Sequence, residues 1–74
     1  MVASGCARLT PRQRAVAAQL LDGRSAPQIA GELTLATSTV RMHVRALYTK
    51  VEVHALAAFL HWAREHERCC IRGA

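Results

Sequence analysis

Carboxylates, aromatic rings and long apolar runs are all scarce in this chain. Its 74 residues hold five acids, Asp22, Glu32, Glu52, Glu65 and Glu67. Acids this scattered leave no pair for general acid–base work. No nucleophile has a positioned base, and no glycine-rich loop is present to cradle phosphate. The chain therefore reads as a non-enzyme. Only Tyr48, Phe59 and Trp62 bring aromatic rings to a core. No apolar run approaches the ~20 residues needed to span a bilayer. Met1 to Arg8 lacks the apolar segment of a secretory signal, so the expected compartment is cytoplasmic, with no membrane partner. Cys6, Cys69 and Cys70 are odd in number and sit near the two ends, which is no disulfide framework. In a reducing cytoplasm they are expected as thiols. His61, His66, Cys69 and Cys70 form the one cluster with ligand chemistry. Adjacent cysteines on an irregular tail lack the geometry zinc requires, so neither a metal nor any other cofactor is expected. Repeats and low-complexity tracts are absent.

Positive charge and alanine are plentiful. Ten Lys and Arg give a formal net charge of +5, which favours a polyanionic partner. A chain of this length is one domain and buries only ~60% of its unfolded surface. Fourteen alanines point to a few short helices packed closely.

Thr10-Pro11-Arg12-Gln13 is a helix start. Thr10 caps, Pro11 occupies the first helical position and Gln13 completes a capping box. This predicts a first helix over about 11–22, with Val16, Ala17, Leu20 and Leu21 inward and Gly23 as the stop. Ser25-Ala26-Pro27-Gln28 repeats the pattern and predicts a second helix over about 26–33, with Ile29, Ala30 and Leu33 inward. Gly31 within it costs roughly 1 kcal/mol relative to alanine. Thr34-Leu35-Ala36 is a three-residue connection whose Leu35 plugs the core. The third helix, 37–51, carries three positive charges and no negative one. Val40, Val44, Leu47 and Val51 form its apolar stripe, while Ser38, Arg41, Met42, Arg45 and Thr49 point away. Two short helices joined by such a turn, the second basic on its outer face, make a helix-turn-helix. A fourth helix is expected over about 54–66, with Leu56, Phe59, Leu60 and Ala63 inward. Residues 1–8 read as a flexible tail or linker end, 9–67 as the folded domain and 68–74 as a flexible tail.

Laid out this way, the chain resembles the LuxR/GerE-type DNA-binding domain of bacterial transcription regulators. The residues that carry the likeness are Leu9-Thr10-Pro11-Arg12, Val16, Gly23, Ser25, Ile29-Ala30 and Leu33. They continue with Thr39-Val40-Arg41-x-His43 and Lys50-Val51-x-Val53. The likeness runs without a gap from residue 9 to 63. It implies an all-α, four-helix helix-turn-helix domain with the third helix in the major groove of double-stranded DNA. It also implies base contacts by Arg41, Met42 and Arg45, phosphate contacts by Ser38, Thr39 and Lys50, and a two-fold contact through helix four. The chain departs from the family pattern at Ala36 for a hydroxyl-bearing cap, Gly31 for a polar helix former, Glu52 for glycine and Leu56 for arginine.

The chemistry of these side chains fits those roles. Arg41 and Arg45 lie one turn apart, and arginine can grip O6 and N7 of guanine. Met42 offers apolar contact to a thymine methyl. Ser38 and Thr39, near a helix N-terminus, can donate to a phosphate. Lys50 is a flexible point charge better suited to phosphate than to a base edge. His43, beside the apolar stripe, is expected half-buried on a backbone carbonyl. Ala58, His61, Trp62 and Glu65 on helix four, with Trp62 as an exposed anchor, are the expected homodimer contact. The leading expectation is a transcription regulator that binds a pseudo-palindromic operator as a dimer. The alternative is a protein-interaction module, similar to sigma region four, docking on RNA polymerase or another acidic partner.

Overall fold

The computed structural model describes residues 9–72. Four α-helices account for most of them: α1 (Pro11–Leu21), α2 (Ala26–Leu33), α3 (Thr37–Val51) and α4 (Leu56–Glu65). A π-helical turn, Glu67–Ile71, follows α4. No strand occurs among the described residues. None of the helices is long and apolar enough to cross a membrane.

Both capping boxes form. The Gln13 amide donates to Thr10 Oγ1 at 3.0 Å, and the Thr10 amide donates to Gln13 Oε1 at 3.1 Å. In the second box, the Ser25 amide donates to Gln28 Oε1 at 2.8 Å and the Gln28 amide to Ser25 Oγ at 3.3 Å. Three helices end in one hydrogen-bond pattern, in which a left-handed residue lets the chain reach back over the last turn. After α1, Gly23 (φ +85°) donates to the Leu20 carbonyl, and Arg24 donates to that of Gln19. After α2, Thr34 (φ 57°) takes the same position and Leu35 reaches Ala30. After α3, Glu52 (φ 60°) takes it, donating to Thr49, while Val53 reaches Tyr48. Each pattern turns the next residue toward the core, and Leu35 and Val53 both pack against it.

α3 packs against both α1 and α2, and α4 packs against α1. Val16, Ile29, Val40, Leu47 and Phe59 are fully enclosed. α4 begins two residues later than expected, because Ala55 is still extended (φ −150°) after the left-handed turn at Glu52.

Two expectations need correction. Trp62 is buried at 9% exposure, so it is not an exposed anchor. Its ring lies 5.9 Å from Phe59 and stacks on His66 at 4.5 Å. With Tyr48 5.8 Å from Phe59, the three scarce aromatics and His66 form one continuous row. The second correction concerns residues 68–72, expected as part of a flexible tail. There the π-helical turn buries Cys70 and Ile71 in the core. Arg72 then returns to α1, donating to the Ala18 carbonyl and pairing with Asp22 at 2.8 Å and Glu67 at 2.6 Å. Apolar periodicity could not signal this segment, because only two of its residues are apolar and they are adjacent. Cys70 is disulfide-bonded, which overturns the thiol expectation there. The expected tail at 1–8 lies outside the described residues.

Candidate nucleic-acid interface

The site is built on α3, whose two faces separate cleanly. Val40, Leu47 and Val51 are buried, and Val44 is half-buried. Ser38, Arg41, Met42, Arg45 and Thr49 are exposed on the opposite side. Met42 is 65% exposed, a large apolar side chain held in water by the fold rather than by its own preference. Arg41 and Arg45 have no hydrogen-bond or ion-pair partner among the described residues. The structure thus brings Arg41, Met42 and Arg45 onto one open surface, with Ser38 at its N-terminal end and Thr39, half-buried, beside it.

The start of α3 has an open N-terminus. Ala36 stands at the cap and makes no side-chain hydrogen bond. The first-turn amides, with the Ser38 and Thr39 hydroxyls, form a cluster of donors at the positive end of the helix. That arrangement suits an anionic oxygen.

Lys50 is placed differently from the rest. It is half-buried, and its Nζ donates to Gln13 Oε1 at 2.9 Å. Gln13 is itself buried and serves the α1 capping box. Lys50 therefore ties the end of α3 to the start of α1, a fixed role that the sequence spacing alone did not expose. His43 is half-buried as expected, but the expected backbone hydrogen bond is absent among the described residues. On α4, Ala58, His61 and Glu65 are exposed, and His61 lies 3.6 Å from Glu65 one turn on. His66 is turned inward, its Nδ1 2.8 Å from the Trp62 carbonyl.

Sequence reasoning missed Arg24. It is exposed in the α1–α2 turn, next to the Ser25 cap, and lines the same groove as Arg41 and Arg45. Glu32 lies 3.5 Å from it. The available signal was a cation immediately before the cap of the first helix of the helix-turn-helix pair.

Known proteins match the chain over this same region. Residues 7–63 match the family model described as "Bacterial regulatory proteins, luxR family". The "Probable transcriptional regulatory protein NarL" of Mycobacterium tuberculosis, in strains CDC 1551 / Oshkosh and ATCC 25618 / H37Rv, is 46% identical over 50 residues. That alignment covers 68% of this chain and 23% of each relative. The chain therefore spans about a quarter of the length of the curated relatives it matches. No solved structure gives a significant match.

Proposed function

Because the chain belongs to the luxR family of bacterial regulatory proteins, we propose that it is the DNA-reading domain of a transcription regulator, with α3 in the major groove. One observation carries this reading: α3 buries its valine and leucine stripe while leaving Arg41, Met42 and Arg45 open together. In the proposed complex Arg41 and Arg45 take guanine edges and Met42 touches a thymine methyl. Ser38 and Thr39 hold a phosphate at the open N-terminus of α3. Arg24 reaches a phosphate from the α1–α2 turn. Lys50 acts chiefly by fixing α3 on α1, and any phosphate contact it makes comes in addition. Two copies meet through the outer face of α4, at Ala58, His61 and Glu65, and read a pseudo-palindromic operator. A family of regulatory DNA-binding domains is no enzyme class, and none of these roles breaks a bond.

Salt tests the reading. Each phosphate contact should contribute about −0.9 to the slope of log affinity against log salt. Duplex binding measured across salt concentrations should give a straight line with a slope of several units. Absence of duplex binding at low salt would refute the proposal and favour docking on a protein such as RNA polymerase.

A further inference from the structure

We propose that the groove between the start of α2 and the flank of α3 binds an amphipathic monocarboxylate, and that its occupant excludes DNA. The exclusion rests on the DNA-reading role proposed above; the binding does not.

The groove has a volume of about 340 Å³, within the ~300–1,000 Å³ range of small-molecule sites. Leu20, Val44, Tyr48 and Leu56 supply its apolar surface. Leu56 is 46% exposed at the first position of α4, where a polar residue would cost the fold nothing. Burial raises the Tyr48 phenol above its ordinary titration range, so it stays neutral there. The charge on the walls has one sign. Arg24, Arg41 and Arg45 all line the groove, and no Asp or Glu does. Glu32 lies outside the lining and touches only Arg24 of the three.

These two features together select the ligand. A purely apolar ligand covers Leu56 and Val44 but leaves the guanidinium groups unused. A bare phosphate does the reverse. A carboxylate with an aliphatic or aryl body does both, since a guanidinium presents a fork that matches a carboxylate. Arg41 and Arg45 cannot hold that carboxylate and base edges at the same time. An occupied groove therefore removes both from DNA.

The test is a titration of the whole chain with decanoate below its micelle concentration, followed by methyl NMR. Decanol and decyltrimethylammonium serve as controls with the same apolar body. Decanoate should shift the Leu20, Val44 and Leu56 methyls saturably. Decanol should bind roughly ten- to a hundredfold more weakly, the scale of a hydrogen bond to a charged group. Leu56→Gln should weaken decanoate about tenfold through lost apolar burial, while its affinity for a labelled mixed-sequence duplex stays that of the parent. Decanoate should release that duplex from the parent. Unmoved methyls, equal binding of decanol, or an unchanged Leu56→Gln variant would overturn the site. A saturated groove with DNA still bound would overturn the exclusion. A parent that binds no duplex at all would remove the DNA-reading role and the exclusion with it, and the methyl titration would still decide the site.

Discussion

Trp62 shows how much one side chain decides in a domain of this size. It is one of three aromatics, and it joins Phe59 to His66 in a row that reaches back to Tyr48 on α3. Its Nε1 is buried without a hydrogen-bond partner, so the ring contributes by packing alone. Trp62→Ala should cost about 3–5 kcal/mol, a large share of the ~5–15 kcal/mol that holds a domain folded. Urea unfolding followed by far-UV circular dichroism measures it; a loss under about 1 kcal/mol would contradict the burial. A helical wheel puts Trp62 at the edge of the α4 stripe. Its burial is settled by the π-helical turn, which brings His66, Cys70 and Ile71 over that edge. The outward arginines of α3 were legible because four apolar positions on one side leave little freedom on the other. The Lys50–Gln13 bond was not, since 37 residues separate its ends and no local pattern links them.

At the scale of the elements, helix starts and helix ends differ in quality. α1 and α2 start with complete capping boxes, whereas α3 and α4 start without a side-chain cap. Of the three left-handed closures, only Gly23 has the residue that position favours. A left-handed conformation costs most residues roughly 1–2 kcal/mol, and Thr34 and Glu52 both bear it. Glu52→Gly should raise stability by about 0.5–1 kcal/mol after the added chain entropy of glycine is counted. Gly31 is the opposite case. It is helical and exposed, and a Cβ there would meet nothing within 4 Å. Gly31→Ala should add about 0.5–1 kcal/mol. Each change should lift the melting midpoint by about 2–8 °C; a lower midpoint would contradict the conformational argument. The starts were readable because Thr-Pro-x-Gln and Ser-Ala-Pro-Gln are local signals. The late start of α4 was not, because the backbone at Glu52 and Ala55 answers to the packing of α3 against α4.

The elements also sort the roles on α3. Arg45→Ala should relax base preference at one operator position and leave the fold intact, since Arg45 touches nothing else among the described residues. Lys50→Ala should weaken all sequences alike and also lower the melting midpoint, because it breaks the tie to Gln13. Competition binding against a set of single-base operator variants separates them. A uniform loss from Arg45→Ala would contradict its role as a base reader.

For the whole molecule, the layout places reading and pairing on different sides. α3 lies against α1 and α2, and α4 lies against α1. The exposed α4 face, with Ala58, His61 and Glu65, stays open while DNA is bound in the proposed complex. Ala58→Arg adds a charge to that face without touching the core. It should halve the number of chains bound per operator duplex in sedimentation, and an unchanged stoichiometry would contradict pairing through α4. The terminal turn widens the molecule's own boundary, since Arg72 closes onto Asp22 and brings residues 68–72 into the folded unit. The central claim is that α3 reads base sequence from the major groove. Selection from a random duplex pool at near-physiological salt, followed by sequencing, tests it most directly. The account predicts enrichment of two inverted half-sites centred about 10 base pairs apart, with guanines opposite Arg41 and Arg45. Retained binding with no sequence enriched would contradict it.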